Sequence, residues 1–183
     1  MDAISHRRSV REYLDKTVPR ATIERLIDAA IQAPSAVNRQ PWHFTVIQDR
    51  KLLDEISARA KRHMLSIIGT DKAPAILREH LSDPGFQIFY HAPVLILISG
   101  SDDDDWVTED AALAAENLML AAHAFGLGSC WIGFSQRWFE TGEGSKTIGL
   151  PNGLRPIAPI IVGYSRRAAP AVPRNPATIR WIG

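Results

Sequence analysis

Residues 7–11 read RRSVR, three arginines and a serine within the first dozen positions. Side chains alternate along an extended segment, so Arg7, Ser9 and Arg11 would share one face. Two guanidiniums and a hydroxyl suit a phosphate. An anion site, a targeting signal and a solvated lead-in to a helix all remain open for this stretch taken alone. Residues 34–42 read PSAVNRQPW, and Ser35, Asn38 and Gln40 can hydrogen-bond a heterocycle or a polyol. A loop that stops one helix and starts a strand would use the same residue types for its turns. Residues 126–131, GLGSCW, start like a dinucleotide-binding glycine motif but lack its third glycine. They also follow a helical pattern and precede a strand, the reverse of the order that motif requires. Gly126 is therefore read as a helix C-cap with a tight turn into a strand. Cys130, on an apolar strand, reads as a core residue.

Other chemistries find no support. The chain has no G-x-S-x-G elbow and no H-E-x-x-H pair, and its histidines (His6, His43, His63, His80, His91, His123) fall at no familiar ligand spacing. No metal site and no catalytic side chain is expected. A single cysteine excludes an intrachain disulfide framework. The formal net charge of +1 gives no global field for nucleic acid or an anionic membrane. No secretory h-region opens the sequence, and APVLILI, residues 92–98, is too short to span a bilayer. A cytoplasmic setting is the expectation. Charge is uneven, however: no acidic residue follows Glu143, whereas Lys146, Arg155, Arg166, Arg167, Arg174 and Arg180 do. A basic tail and a basic start could converge on one anion.

The 183 residues suit one domain, 1–183, with a substantial core. Ile23, Leu26, Ile27, Ala30 and Ile31 at helical spacing predict a helix over 19–33, ended by Pro34. HFTVIQ predicts a strand, and DRKLLDEISARAKR a second amphipathic helix. Gly69, Pro74, Pro84 and Gly85 break residues 63–90 into short helices and loops, read as a variable flap. APVLILIS reads as a buried strand, and SDDDD as a solvated loop in which Asp105, or Thr108 beyond it, could cap the next helix. That helix, 107–125, is dense in alanine and apolar on most faces, which suits a central position or a subunit interface. SCWIGF and APIIVGY read as strands, with a short helix near 136–140 between them. From Ser165 the tail is proline-rich without a core pattern of its own and must pack on something else.

Taken together, RRSVREY, APSAVNRQPWHF, HAPVLILI, AFGLGSCWIGF and IGLPNGLRPIAPIIVGY resemble, in order and over nearly the whole chain, the nitroreductase family of FMN-dependent oxidoreductases. The resemblance implies an α+β fold: a central mixed sheet flanked by helices, in an intertwined homodimer with exchanged terminal segments. It implies two FMN sites at the dimer interface. Arg7, Ser9 and Arg11, with Arg8 nearby, would hold the phosphate and ribityl side, and Arg174 would close the phosphate site from the tail. Pro34, Ser35, Ala36, Asn38 and Gln40 would reach the flavin of the other subunit. Trp131, Ile132 and Gly133 would lie along the isoalloxazine, with a backbone N–H near N5. Arg11 could also stand at the N1–C2 edge and stabilise the reduced ring. The implied activity is ping-pong hydride transfer from NAD(P)H to nitroaromatics, quinones or similar acceptors. Two alternatives stay open: a specialised flavin enzyme of the same fold (dehydrogenase, dehalogenase or flavin-consuming), and a flavin-binding module without significant turnover.

Overall fold

Alternating and continuous apolar runs fold into four strands: β1 (Trp42–Ile47), β2 (Val94–Ser101), β3 (Gly128–Trp131) and β4 (Leu154–Gly163). The computed structural model describes residues 1–68, 75–101 and 103–183. The strands stand in the order β1-β2-β4-β3, and each neighbouring pair is antiparallel. Among the described residues the parallel element of this α+β fold is a single bridge, Ser9 with Ser129. β2 and β4 are central and buried on both faces over most of their length, which explains their unalternated apolar runs. Their register slips between Ile98 and Ser99, where buried Ile157 is the extra residue of a bulge.

Helices cover both faces. Val94, Ile96 and Ile98 of β2, with Ala158, Ile160 and Val162 of β4, join one core with α2 (Arg20–Ala30) and α5 (Val107–Ala124). Leu95, Leu97 and Ile161 point the other way, into a second core with α3 (Arg50–Ile67), α4 (Ala75–Ser82) and α6 (Gly133–Phe139). Trp138 and Phe139 of α6 are almost fully buried there. The remaining helices are α1 (Asp2–His6) and α7 (Gly142–Thr147). The alanines of α5 let the helix lie close to the sheet, and Gly100 completes the fit, because a Cβ there would sit 2.1 Å from Val107 Cγ2.

Most predicted elements are present, with shifted ends. Asp49 caps α3 by accepting from the N–H groups of Lys51 and Leu52 at 2.8 and 3.1 Å. The helix runs on to Ile67, past the expected end. In the expected flap, α4 forms, while Gly69 and Pro74 lie outside the described residues, as does Asp102 of the SDDDD loop. Neither Asp105 nor Thr108 caps α5; Asp104 Oδ1 accepts from Trp106 N–H at 3.0 Å instead. The strand expected over SCWIGF stops at Trp131, and Gly133 and Phe134 already belong to α6. At the other end of α5 the expected cap forms: Gly126 takes φ 73°, its N–H reaches His123 O, and Leu127 N–H reaches Ala122 O at 2.8 Å. Among the described residues no helix is long and apolar enough to cross a membrane.

Candidate functional site

The RRSVR stretch leaves α1 in extended conformation and lies along the outer edge of β3. Val10 N–H donates to Ser129 O at 3.0 Å, Leu14 N–H to Tyr164 O at 2.9 Å, and Tyr13 bridges Ser165. Between these bonds Val10 and Tyr13 point into the second core, 8% and 5% exposed, while Ser9 and Arg11 stay at the surface. The expected alternation is thus present. Gly128 allows the approach, since a Cβ there would meet Val10 Cγ2 at 2.6 Å. The Tyr13 hydroxyl donates to Val10 O at 2.8 Å and locks the segment in place.

The four polar residues of this arm are used differently. Arg7 lies 3.4 Å from Glu116 Oε1 of α5, and its Nε is buried without a hydrogen-bond partner. Arg8 turns back to donate to Ser5 O and Arg7 O at 2.8 and 2.7 Å, closing the end of α1. Arg7 and Arg8 border a cleft of about 380 Å³ against His123 and Ser129, while Arg11 borders another, of about 490 Å³, with Tyr90 and Arg166. Four residues of extended chain span about 13 Å, so Arg7 and Arg11 suit different parts of one long ligand better than one small anion. Arg11 stands beside Tyr90 along that cleft. Burial pushes the Tyr90 pKa up, against the nearby Arg11 guanidinium. Burial likewise raises the Cys130 thiol, opposed by Arg11, Ser9 and Arg7. Cys130 is therefore a protonated core residue, as its place in the sequence suggests.

The PSAVN loop is anchored elsewhere, beside the first turn of α5. Ala36 N–H donates to both oxygens of buried Asp110, at 3.0 and 3.3 Å. Arg39 Nε lies 3.5 Å from Asp104, which is only 2% exposed. Ser35 Oγ accepts from Gln40 N–H at 2.9 Å, and Asn38 Oδ1 accepts from Gln40 Nε2 at 3.0 Å. These contacts hold Val37, Asn38 and Gln40 at φ 45°, 57° and 51°. Left-handed conformations are costly for a β-branched side chain such as Val37, and such strain gathers at functional sites. Pro34 and Asn38 are exposed; Ser35 and Ala36 are half-buried.

At the end of β3, Trp131 is half-buried against the α5 core, and Ile132 is buried with its N–H on Pro159 O at 2.8 Å. Gly133 is the first residue of α6, so its N–H has no intrahelical carbonyl to reach. A Cβ on Gly133 would meet nothing within 4 Å. The arm meets β3 at Ser129, two residues before Trp131, and the space beside Gly133 is open.

Two expected groups do not join them. No hydrogen bond or ion pair among the described residues links the PSAVN loop to the arm. Their anchors on α5, Asp110 and Glu116, stand about 9 Å apart along the helix and about 120° around it. Arg174 lies in an exposed tail far along from its tethers to the arm: Ser165, which bridges Tyr13, Arg166, whose N–H donates to Glu12 O at 3.0 Å, and Arg167, paired with Glu12. Gln87 is engaged internally, donating to Asp54 and accepting from His91 N–H. Asp104, Asp110, Glu116 and Tyr90 escaped the sequence reading. The signal for Asp110 was a carboxylate on the inward stripe of an alanine-rich helix.

Comparison with known proteins places the fold. A protein of Methanothermobacter thermautotrophicus, provisionally named NADH dehydrogenase/NAD(P)H nitroreductase, is 30% identical over 169 residues, covering 90% of this chain and 76% of its own length. An iodotyrosine deiodinase of Thermotoga neapolitana is 28% identical over 184 residues, covering 98% and 96%. The crystal structure of a nitroreductase with bound FMN from Bacteroides fragilis superposes with a TM-score of 0.85 at 29% identity, covering 100% of this chain and 97% of its own. The nitroreductase family model itself spans residues 4–164, from within α1 to just past the last strand, and the chain belongs to the nitroreductase family.

Proposed function

We propose that residues 1–183 form one FMN-binding unit that works as a homodimer and oxidises NADH or NADPH at the expense of an electron-poor acceptor. The separation of arm and loop carries this reading. Arg7, Ser9, Arg11 and the β3 end lie on one side of α5, and the PSAVN loop, with the residue types that fit a heterocycle, is anchored on another. A second copy that brings its own loop to the arm completes the set. The tail supports the same assembly: residues 170–183 are exposed throughout, including Trp181 at 87% and Ile182 at 84%. Apolar side chains presented on an extended segment favour a partner surface.

The residues present fit FMN. Buried Arg7 Nε makes no hydrogen bond, with only the Glu116 carboxylate 3.4 Å away; Ser9 and Arg11 follow it along an extended arm of suitable length, and the space beside Gly133 is open. Arg7 would hold phosphate with Ser9, Arg8 would keep the arm in position, and Arg174 of the tail would close the phosphate end. Arg11 would place positive charge at the ring edge, beside Tyr90. Pro34, Ser35, Ala36, Asn38 and Gln40 would contact the ring from the other subunit, and Trp131, Ile132 and Gly133 would line it, with the Gly133 N–H as donor. Bound FMN supplies a ring that takes hydride from the nicotinamide and passes electrons to the acceptor. Donor and acceptor would use the same open face in turn, a ping-pong cycle that needs no catalytic side chain. Nitroaromatics and quinones are the acceptors proposed, and a lone, buried, unpaired Cys130 suits a reducing cytoplasm.

An absorption spectrum of purified protein tests this. A flavin band should bleach within seconds on anaerobic NADPH or NADH and return on adding menadione or a nitrobenzoate. A yellow protein that stays yellow would leave a flavin-binding module; a colourless one that refuses added FMN would end the proposal. The deiodinase relative supports a second reading, reductive dehalogenation. Iodide released from 3-iodotyrosine by the dithionite-reduced protein would favour it over nitro or quinone reduction.

A further inference from the structure

We infer that Asp110 is a positioning residue that sets the conformation of the PSAVN loop for ligand binding. Its surroundings single it out. The inward stripe of α5 is otherwise small and apolar: Ala111, Ala114, Ala115, Leu118 and Ala122 are each 1% exposed or less. Asp110 shares that environment at 3% exposed, and the bonds described for its carboxylate come from the N–H of Ala36, a residue 74 positions away. A carboxylate is costly to bury unless its bonds return the cost, and an alanine would pack here as its neighbours do.

The bond acts at the point where the loop turns. Ser35 is extended, at φ −139° and ψ 156°, and the tight turn starts at Ala36. Asn38 N–H then reaches Ser35 O at 3.0 Å, and Arg39 N–H reaches Ala36 O at 3.1 Å. The first N–H of a helical turn has no carbonyl behind it, and Asp110 supplies the missing acceptor from another element. With Ala36 fixed, Val37, Asn38 and Gln40 are carried into their left-handed conformations. Asp104, holding Arg39, restrains the far side of the same turn. Without Asp110 those strained residues are free to relax, and Asn38 and Gln40 leave their places.

This inference rests on the reading of the loop as part of an FMN site, but one of its tests does not. Two variants divide the question. Asp110→Ala removes the acceptor; Asp110→Asn keeps one oxygen for Ala36 N–H and removes the charge. Amide hydrogen exchange of the protein without added FMN, read on peptides covering 34–42, should show protection lost in Asp110→Ala and retained in Asp110→Asn, with α3 and β2 peptides unchanged in both. FMN titration should weaken about 10- to 100-fold in Asp110→Ala, the range for a hydrogen bond to a charged group, and less than about 5-fold in Asp110→Asn. Equal protection of the loop in wild type and Asp110→Ala overturns the inference. So does an Asp110→Asn variant as impaired as Asp110→Ala, which would assign the effect to charge in the helix. If wild type takes up no FMN, the functional proposal fails while the exchange experiment still decides the role of Asp110.

Discussion

The arm and the loop face similar tasks and are built on opposite principles. The arm is held by backbone bonds to β3 and β4 and by two side chains, Val10 and Tyr13, sunk into an apolar core. Ser9 and Arg11 are left at the surface, and the backbone of residues 7–14 takes no left-handed conformation. The loop buries little of its own; two acidic side chains of the α5 region reach out to hold it, and three residues stay in left-handed conformations. A segment held by apolar packing tolerates changes in its polar residues. One held by a few buried carboxylates is accurate only while each bond is intact.

The sharpest way to break the comparison is to block the arm's seat. In Gly128→Leu the new side chain would occupy the space of Val10, where even a Cβ meets carbon at 2.6 Å. Overpacking of this kind should cost about 2–3 kcal/mol in a denaturant titration and loosen exchange protection of residues 9–14 while leaving the loop unchanged. An unshifted midpoint would mean the arm is not seated where the structure puts it.

Alkaline pH should separate the two regions next. Burial raises the pKa of Cys130 and Tyr13, both of which lie under the arm with Arg11 beside them. For groups raised on folding, stability is complete below the unfolded pKa and is lost as pH climbs toward the folded value. Stability should therefore be flat to about pH 8.5, then fall by up to about 1.4 kcal/mol per pH unit for each group. Cys130→Ala should postpone the onset to the tyrosine range, near pH 10. A wild-type profile that stays flat through pH 10 would contradict the buried placement of the thiol.

The smallest effect belongs to the loop. Val37, 91% exposed at φ 45°, contributes strain without packing. Val37→Gly should raise stability by about 0.5–1 kcal/mol, the left-handed penalty less the added freedom of the unfolded chain. The same substitution should weaken FMN binding if strain serves the site. A stability gain with unchanged binding would make the strain incidental.

The two regions also differed in how far the sequence exposed them. Alternation in RRSVR and the apolar run of APVLILIS are local patterns, and both segments fold as their patterns require. The C-cap at Gly126 was legible for the same reason, since the whole motif lies within six neighbouring residues. Asp110 was not legible, because its meaning depends on Ala36, which only the packing of α2 and α5 brings near. Gly133 and Phe134 were misread as strand because the apolar run continues where β4 no longer offers a partner. The division of roles between Arg7, Arg8 and Arg11 likewise came from what stands around them: Glu116, the carbonyls of Ser5 and Arg7 at the end of α1, and Tyr90.

The bridges that seat the arm join Ser9 to Ser129 and Tyr13 to Ser165. Contacts so distant along the chain form late, since a long loop must close before they return anything. During synthesis at about 5–20 residues per second, the arginine-rich arm would wait roughly 8–30 s for its seat to be made. A segment made early is thus among the last to find its place. Until Ser165 has emerged, the nascent chain carries the arm unpaired and cationic, and the surface beside β3 is completed only when the sheet that supports it is whole.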